Sequence, residues 1–153
     1  MSGMERLLRE HPLFRGLDPA FVDVVCGCAR NTRFESGEYL RREGDEADAL
    51  YLIRQGLVAL EINAPGRGAI RFQTLADGEL VGVSWLVPPY RWMYDARVVE
   101  RTRAIALDAR CLRGKCDADP ALGYEVLKRL LPTLVSRLHA TRMQVLDVYG
   151  TPE

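Results

Sequence analysis

The sequence contains four cysteines. Four thiolates are a ligand set that a zinc ion or an iron–sulfur cluster can bind. Cys26 and Cys28 fall in one predicted helical region, and Cys111 and Cys116 fall in another. Residues two apart on a helix point roughly 200° apart, so the first pair does not easily share a metal unless Gly27 breaks the helix. The second pair, five apart, diverges as well. The spacing therefore favours buried free thiols, and we predict no metal site.

The histidines and carboxylates form no catalytic constellation. His11 and His139 are far apart in the chain and both fall in predicted helical regions, whereas a metal-dependent β-barrel oxygenase needs a histidine cluster on its strands. No Ser-His-Asp spacing, phosphate-binding loop or pair of catalytic carboxylates is evident. The acidic run of Asp45, Glu46 and Asp48 has poor spacing for calcium and is typical of a solvated turn. We therefore predict that the protein is not an enzyme.

The balance of charge argues against several other classes of protein. The chain has 153 residues, with 21 Lys and Arg against 21 Asp and Glu, so its formal net charge is zero. Dedicated nucleic-acid binders and polybasic membrane-surface proteins carry a basic surplus. No apolar run reaches the ~20 residues of a membrane helix, and the charged N-terminus lacks the apolar stretch of a signal peptide. We therefore predict a cytoplasmic protein without membrane contact, in which the cysteines stay as free thiols.

Hydrophobic periodicity divides one predicted domain, residues 1–153, into three segments. Residues 4–31 are predicted as N-terminal helices, because apolar residues recur there at helical spacing. Residues 32–108 hold short β-type runs separated by glycine turns about ten residues apart, which favours a barrel or a sandwich. Residues 109–149 return to a helical pattern. The predicted fold class is therefore α+β, mainly β.

Helix caps and glycine turns mark the boundaries of several elements. Asp18 is predicted as an N-cap with Pro19 in the first helical position, and Asp119–Pro120 repeats this arrangement before a long helix. Gly56 and the stretch 65–68 are predicted as hairpin tips, since a positive φ is cheap only for glycine.

The long helix, from Ala121 to about Tyr149 with Pro132 inside it, carries two apolar faces. This helix is the fourth that the sequence predicts, so we number it α4. One of its faces is a heptad stripe, which we call the α4 stripe: Leu127, Leu131, Leu134, Leu138, Thr141, Val145 and Val148. The other face holds Leu122, Val126, Leu130 and Met143. We predict that this second face packs on the barrel and that the stripe packs on a second chain in a homodimer. The alternative is that both faces cover the barrel of one subunit.

Two stretches of the β segment resemble the cyclic nucleotide-binding domain family: FESGEYLRREGDEADALYLIRQGLVAL, which is similar to its strand-turn pattern, and LADGELVGVSWL, which occupies the place of its phosphate-binding cassette. The resemblance extends over nearly the whole chain, because HPLFRGLDPAFVDVV is similar to the family's opening helices and TRAIALD to its closing strand. It implies an eight-stranded antiparallel β-roll, jelly-roll-like, flanked by N-terminal helices and a long C-terminal helix. It also implies cAMP or cGMP as the ligand.

The candidate ligand-binding residues implied by the resemblance depart from the family at both charged positions. The candidates are Gly82, Val83, Ser84, Trp85, Arg91, Tyr94 and Asp95. In the family, the cassette glycine is followed by a glutamate that binds the ribose and, about ten residues later, by an arginine that binds the phosphate. Here Val83 stands in the glutamate position, and Tyr94, or Met93 if the loop shifts by one, stands in the arginine position. Losing two charge-assisted hydrogen bonds at ~1.5–3 kcal/mol each weakens binding roughly 10²–10⁴-fold.

Two groups could replace the lost contacts. Arg91 lies in the loop and is free to swing toward the phosphate, whereas strand alternation puts Arg97 on the opposite face. Ser84, with the N–H groups of Val83 and Ser84, could still cradle an anion. Glu79 lies before the cassette glycine and is not a substitute for the missing glutamate.

Four large rings lie in the same loop, namely Trp85, Tyr90, Trp92 and Tyr94. They could fill the vacant nucleotide pocket, serve as ordinary core packing, stack on a different flat ligand or form an exposed patch for a protein partner. The sequence leaves these four interpretations open.

The functional prediction is a non-enzymatic, stand-alone regulatory domain in which binding of a small anionic nucleotide is weak, altered or lost. Family members that are transcription factors carry a DNA-reading domain after the long helix, and this chain ends at Glu153, so direct DNA binding is not expected. The alternative is a degenerate domain that acts as a protein-interaction module for an unknown partner, through the aromatic loop or the long helix. A thiol-based redox or metal sensor is a more remote alternative.

Overall fold

The computed structural model of the chain describes residues 3–150. Its elements in chain order are α1 (Gly3–Glu10), α2 (Pro19–Cys26), β1 (Ala29–Phe34), β2 (Tyr39–Arg41), β3 (Ala49–Ala64), β4 (Gly68–Leu75), β5 (Leu80–Val81), a 3₁₀ helix (Ser84–Leu86), β6 (Asp95–Asp108), α3 (Ala109–Ala118) and α4 (Pro120–Tyr149). Within this part of the chain, no helix is both long enough and apolar enough to cross a membrane.

The strands form one antiparallel sheet in the order β1-β6-β3-β4, with β2 added to β6 and β5 added to β3. An antiparallel roll with helices before it and a long helix after it is therefore confirmed. Six strands are described where eight were expected, because β3 and β6 are unusually long at 16 and 14 residues. The sheet also begins earlier than predicted: Ala29 already pairs with Leu107, within the segment that was assigned to helices.

Gly56 is not a hairpin tip, so that prediction is wrong. β3 runs through Gly56 without a break and stays paired with β6, with irregular register on both sides of the glycine. Gly56 has a φ of 141°, and a Cβ there would lie 2.6 Å from the Cα of Thr102 on β6. The glycine is needed for this close approach of two backbones. The other predicted tip is confirmed, because Ala64 pairs with Gly68 across the turn.

The sheet separates two hydrophobic cores in this region. Successive side chains of β3 point to opposite faces, so Leu50 and Leu52 pack with the helices while Tyr51 and Ile53 face the interior of the roll. The helical core also contains residues from α1, α2, α3 and α4. Residues 82–95, from the end of β5 to the start of β6, contribute side chains to both cores.

α4 packs on the rest of the chain through one face, as predicted. Leu122, Val126 and Leu130 are buried, whereas stripe residues such as Leu127 and Leu138 are about half exposed, at 50% and 52%. Met143 was assigned to the packed face, and this is wrong, since it is 46% exposed. All residues from Leu138 to Tyr149 are exposed, because the last turns of α4 project beyond the buried core.

Two of the four cysteines are bonded, which corrects the prediction of free thiols. Cys28 and Cys111 form a disulfide with their Cα atoms 5.7 Å apart, and Cys26 and Cys116 are not part of a disulfide. The pairing of β1 with β6 brings the two residues together, and the carbonyl of Cys28 accepts a hydrogen bond from the N–H of Asp108 at 2.8 Å. The prediction rested on the expected cellular compartment, which carries no information on this contact. A site that needs all four thiols is incompatible with this bond.

His11 links the N-terminal segment to the sheet as a neutral imidazole. Its Nε2 donates to the carbonyl of Ile53 at 3.2 Å, and its Nδ1 accepts from the N–H of Leu13 at 3.2 Å. Protonation of Nδ1 would remove the second hydrogen bond. Burial lowers the pKa of His11 below its ordinary value of 6.5.

We expect this histidine to destabilise the folded protein in mild acid. Because the folded-state pKa is lowered, the unfolded chain binds the proton more readily, and stability falls as the pH drops below about 6.5. The free energy of unfolding of the wild type should decrease more steeply between pH 7.5 and 5.5 than that of His11→Gln, by at most about 1.4 kcal/mol per pH unit. Urea titrations at each pH measure this, and parallel slopes would contradict it.

Candidate ligand-binding site

The cassette, which we define as residues 82–95, begins where β5 ends. β5 pairs with β3 through Tyr51 and Leu52, and this pairing fixes the position of the next residue, Gly82. Gly82 has a φ of 100°, in the region that favours glycine. Val83 then stands as the N-cap of the 3₁₀ helix, and Ser84 closes it by accepting the N–H of Val87 at its carbonyl. The short helix thus begins two residues after Gly82, the glycine that the resemblance places at the start of the cassette.

Trp92 occupies the space beside the cassette glycine. A Cβ built on Gly82 would lie 3.0 Å from both Cη2 and Cζ2 of the Trp92 ring. The ring is only 3% exposed and lies in the core of the roll. It packs against Tyr51, with ring centres 6.5 Å apart, and edge-to-face against Tyr94 at 5.9 Å. The interior of the roll beside Gly82 is thus packed with the protein's own rings.

Tyr94 is, with Met93 as the alternative, the residue at which the resemblance would place a phosphate-binding arginine. Its ring packs edge-to-face on Phe72 at 5.6 Å, within the same core. Burial raises the pKa of the Tyr94 hydroxyl, and the positive charge of Arg137 opposes that rise. Tyr94 is therefore a neutral ring packed in the core of the roll.

Trp85 lies on the other side of the sheet, in the helical core, and is 1% exposed. Both tryptophan rings of the loop are buried, so neither is available as a contact surface for a protein partner. The residues of the loop that are exposed are Val87, Pro88, Pro89, Arg91 and Met93. This arrangement favours self-filling and core packing over the exposed aromatic patch.

Asp95 and Arg97, at the start of β6, have structural partners. The carboxylate of Asp95 accepts the N–H of Glu43 at 2.7 Å and lies 3.6 Å from Arg42. Arg97 holds the buried carboxylate of Glu61 through two hydrogen bonds of 3.0 and 2.9 Å. These bonds lower the pKa of Glu61. Neither residue is therefore a free charge for a ligand.

Two arginines outside the predicted site bond at or beside the cassette. Arg113 donates to the carbonyl of Trp85 in the cassette, and Arg137 donates to the carbonyl of Leu80 in β5, two residues before Gly82. Arg91, the predicted surrogate cation, is exposed and its backbone pairs with Glu46. The spacing of Arg137 along α4 places it on one face of the helix. The sequence alone does not show that this face meets the sheet.

Metal chemistry finds no support in the part of the chain that the structure describes. Among residues 3–150, no three His, Cys, Asp or Glu side chains are grouped so that they could hold an ion.

A comparison with known protein families matches this arrangement. The sequence profile of the cyclic nucleotide-binding domain fits residues 31–119, more than half of the chain. The chain belongs to this family. The matched residues begin within β1 and continue through the other strands and the cassette to the end of α3.

Individual relatives agree with the family assignment. The CRP-like cAMP-activated global transcriptional regulator of Mycobacterium tuberculosis is 24% identical over 97% of this chain and 64% of its own length. A Geobacter metallireducens protein described as cyclic nucleotide-binding has a TM-score of 0.80 at 25% identity, over 91% of this chain and all of that chain. The Thermus thermophilus catabolite activator protein has a TM-score of 0.70 at 28% identity, over 91% of this chain and 63% of that chain. This chain thus spans under two thirds of the curated regulator.

We expect the contact between Gly82 and Trp92 to be measurable as stability. Gly82→Ala adds a Cβ at a positive φ and into the Trp92 ring, whereas Gly37→Ala adds one at a φ of 91° into open space. Gly82→Ala should therefore lower the free energy of unfolding by about 1–3 kcal/mol more than Gly37→Ala. Urea denaturation of both variants measures the difference. It should shrink when Trp92 is also replaced by leucine, and equal losses in the two alanine variants would contradict the packing described.

Proposed function

We propose that this chain is a regulatory cyclic nucleotide-binding-type domain that keeps the family fold but binds cAMP and cGMP far more weakly than the family's charged cassette allows, or not at all. The observation that carries the proposal is the Trp92 ring, which lies against Gly82 in the space beside the cassette. Val83 and Tyr94 support it, because neither can supply the charge that the family uses.

The energetic argument has two parts. The missing glutamate and arginine remove two charge-assisted hydrogen bonds, worth about 1.5–3 kcal/mol each. In addition, a ligand that enters beside Gly82 must displace Trp92 from the core, and removing a buried ring of this size costs about 3–5 kcal/mol in truncation experiments. Both parts act against the same binding event. We therefore infer that the regulatory output of this domain does not depend on a cyclic nucleotide in the cassette.

Thermal unfolding with cAMP and with cGMP tests the proposal. A ligand present at its Kd adds about 0.4 kcal/mol of stability, or roughly 1–2 °C in a domain of this size. We expect millimolar cAMP or cGMP to raise the Tm by no more than that. A larger, saturable shift that is lost in Gly82→Ala would show that the cassette binds the nucleotide and would contradict the proposal.

The exposed α4 stripe supports a homodimer as the form in which the domain acts. Its leucines recur with alternating spacings of four and three residues, as in a two-stranded coiled coil. They stay about half exposed in one chain, whereas Leu122, Val126 and Leu130, on a neighbouring face in the first half of the same helix, are buried. A second copy of the helix, with the same stripe, is the partner whose pattern fits this face.

The thiol-based redox or metal sensor, the more remote alternative from the sequence, stays a hypothesis.

Charge placed in the stripe should separate the two copies. Leu138→Glu puts a carboxylate into the predicted contact, where an unpaired buried charge is strongly unfavourable. Met143→Glu is the matched control, because Met143 is also about half exposed on α4 but lies off the stripe. We expect dimers for the wild type and Met143→Glu in sedimentation velocity, and at least about tenfold weaker association for Leu138→Glu. A monomeric wild type would contradict the dimer.

A further inference from the structure

A cleft of about 610 Å³ lies between α4, the turn before β5 and the loop after α1. We call it the α4 cleft and define it by six of its lining residues: Leu13, Glu79, Leu80, Arg129, Thr133 and Arg137. Its volume is within the usual range for small-molecule sites, about 300–1,000 Å³. No residue of the cassette lines it, so it is a separate cavity from the space that Trp92 fills.

One row of α4 side chains forms a wall of the cleft. Glu125, Arg129, Thr133 and Arg137 follow one another at intervals of four residues, so they share one face of the helix. Thr133 lies one turn from each arginine. The two arginines are separated by about 12 Å along the helix axis, since each residue rises about 1.5 Å. This row is distinct from the α4 stripe.

Each of the two arginines in this row donates hydrogen bonds to backbone carbonyls, and each also has one buried nitrogen without a partner among residues 3–150. Arg129 donates from Nη1 to the carbonyls of Leu13 and Arg15 at 3.4 and 3.0 Å, and Arg137 donates from Nη2 to the carbonyl of Leu80. The Nε atom of Arg129 and the Nη1 atom of Arg137 are buried and have no hydrogen-bond partner among residues 3–150. Buried donors of this kind are rare in folded proteins and point to a missing acceptor.

The charges around the cleft favour an anion as that acceptor. Lys128, Arg129 and Arg137 line it together with Glu79 and Glu125, which leaves one excess positive charge. Within the described residues, none of these five groups has an opposite charge within 4.0 Å. The carboxylate of Glu79 already accepts the N–H of Ala76 at 2.6 Å. Burial lowers the pKa of Arg137, and the nearby carboxylate of Glu79 partly opposes that fall.

We propose that the α4 cleft binds a small organic phosphate. The guanidinium of Arg137 would meet the phosphate, with the hydroxyls of Thr133 and Ser136 on the same wall as further donors. The apolar walls formed by Leu13 and Pro132 would take an apolar body attached to it. The ligand would contact both α4 and the turn before β5, so its binding would hold the long helix against the roll.

Isothermal titration calorimetry of the full chain with phenyl phosphate and with pyrophosphate tests this site. Both probes carry phosphate without a nucleotide, so the cassette's preference does not enter the measurement. We expect saturable binding of both that weakens as salt rises, and Arg137→Gln should weaken it at least about tenfold. Arg142→Gln removes an exposed arginine of α4 that does not line the cleft, and it should leave binding within about twofold.

A variant that should gain affinity keeps the test decisive if Arg137→Gln fails to fold. Glu79→Gln removes a negative charge from the wall of the cleft and retains an oxygen for the N–H of Ala76. It should tighten phosphate binding by about twofold to tenfold. Absence of binding in the wild type, no gain in Glu79→Gln, or equal losses in Arg137→Gln and Arg142→Gln would each overturn the proposal.

Discussion

The antiparallel pairing of β3 with β6 is the constraint on which the rest of this structure depends. Alternation along β3 sends Leu50 and Leu52 into the helical core and Tyr51 and Ile53 into the roll, so one strand supports both cores. The pairing stays continuous because Gly56 allows the backbone of β6 to approach closely. Of the elements around the cassette, β5 pairs with β3, and α3 contacts both β3 and β6.

The two cores explain how the rings of the loop between β5 and β6 are packed. Trp85 packs with the helices, and Trp92 crosses to the roll, where Phe34, Tyr51, Tyr94 and Phe72 form a chain of edge-to-face and tilted ring contacts with it. A cyclic phosphate needs fixed donors and a cation, whereas these rings offer neutral surfaces. Under the proposed function, dispersion and hydrophobic burial take the place of electrostatic recognition at this position. The interior of the roll beside Gly82 is stabilised by contacts among the protein's own rings.

The features that could be predicted from the sequence are those encoded within a few residues of one another. Asp119 caps α4 because its side chain reaches the N–H groups of the next turn, and the packed face of α4 follows from its period. That valine, and not a glutamate, follows Gly82 is also visible in the local sequence. Gly56 was misread because its role depends on a strand some forty-five residues away, and the bond between Cys28 and Cys111 depends on strand pairing. Arg137 was missed because its surroundings come from distant segments.

α4 is one continuous helix with three faces, and each face has a different physical role. Leu122 and Val126 anchor it in the helical core, and the α4 stripe is exposed. In the third row, Arg129 bonds to the loop after α1 and Arg137 bonds to β5. Arg137 lies one residue before the stripe residue Leu138, so a shift of the helix relative to the roll moves the cleft wall and the stripe together. An anion that binds only when the helix is seated would therefore favour one position of the stripe. Coupling between the cleft and a second chain requires no more than this difference in affinity between two positions of α4.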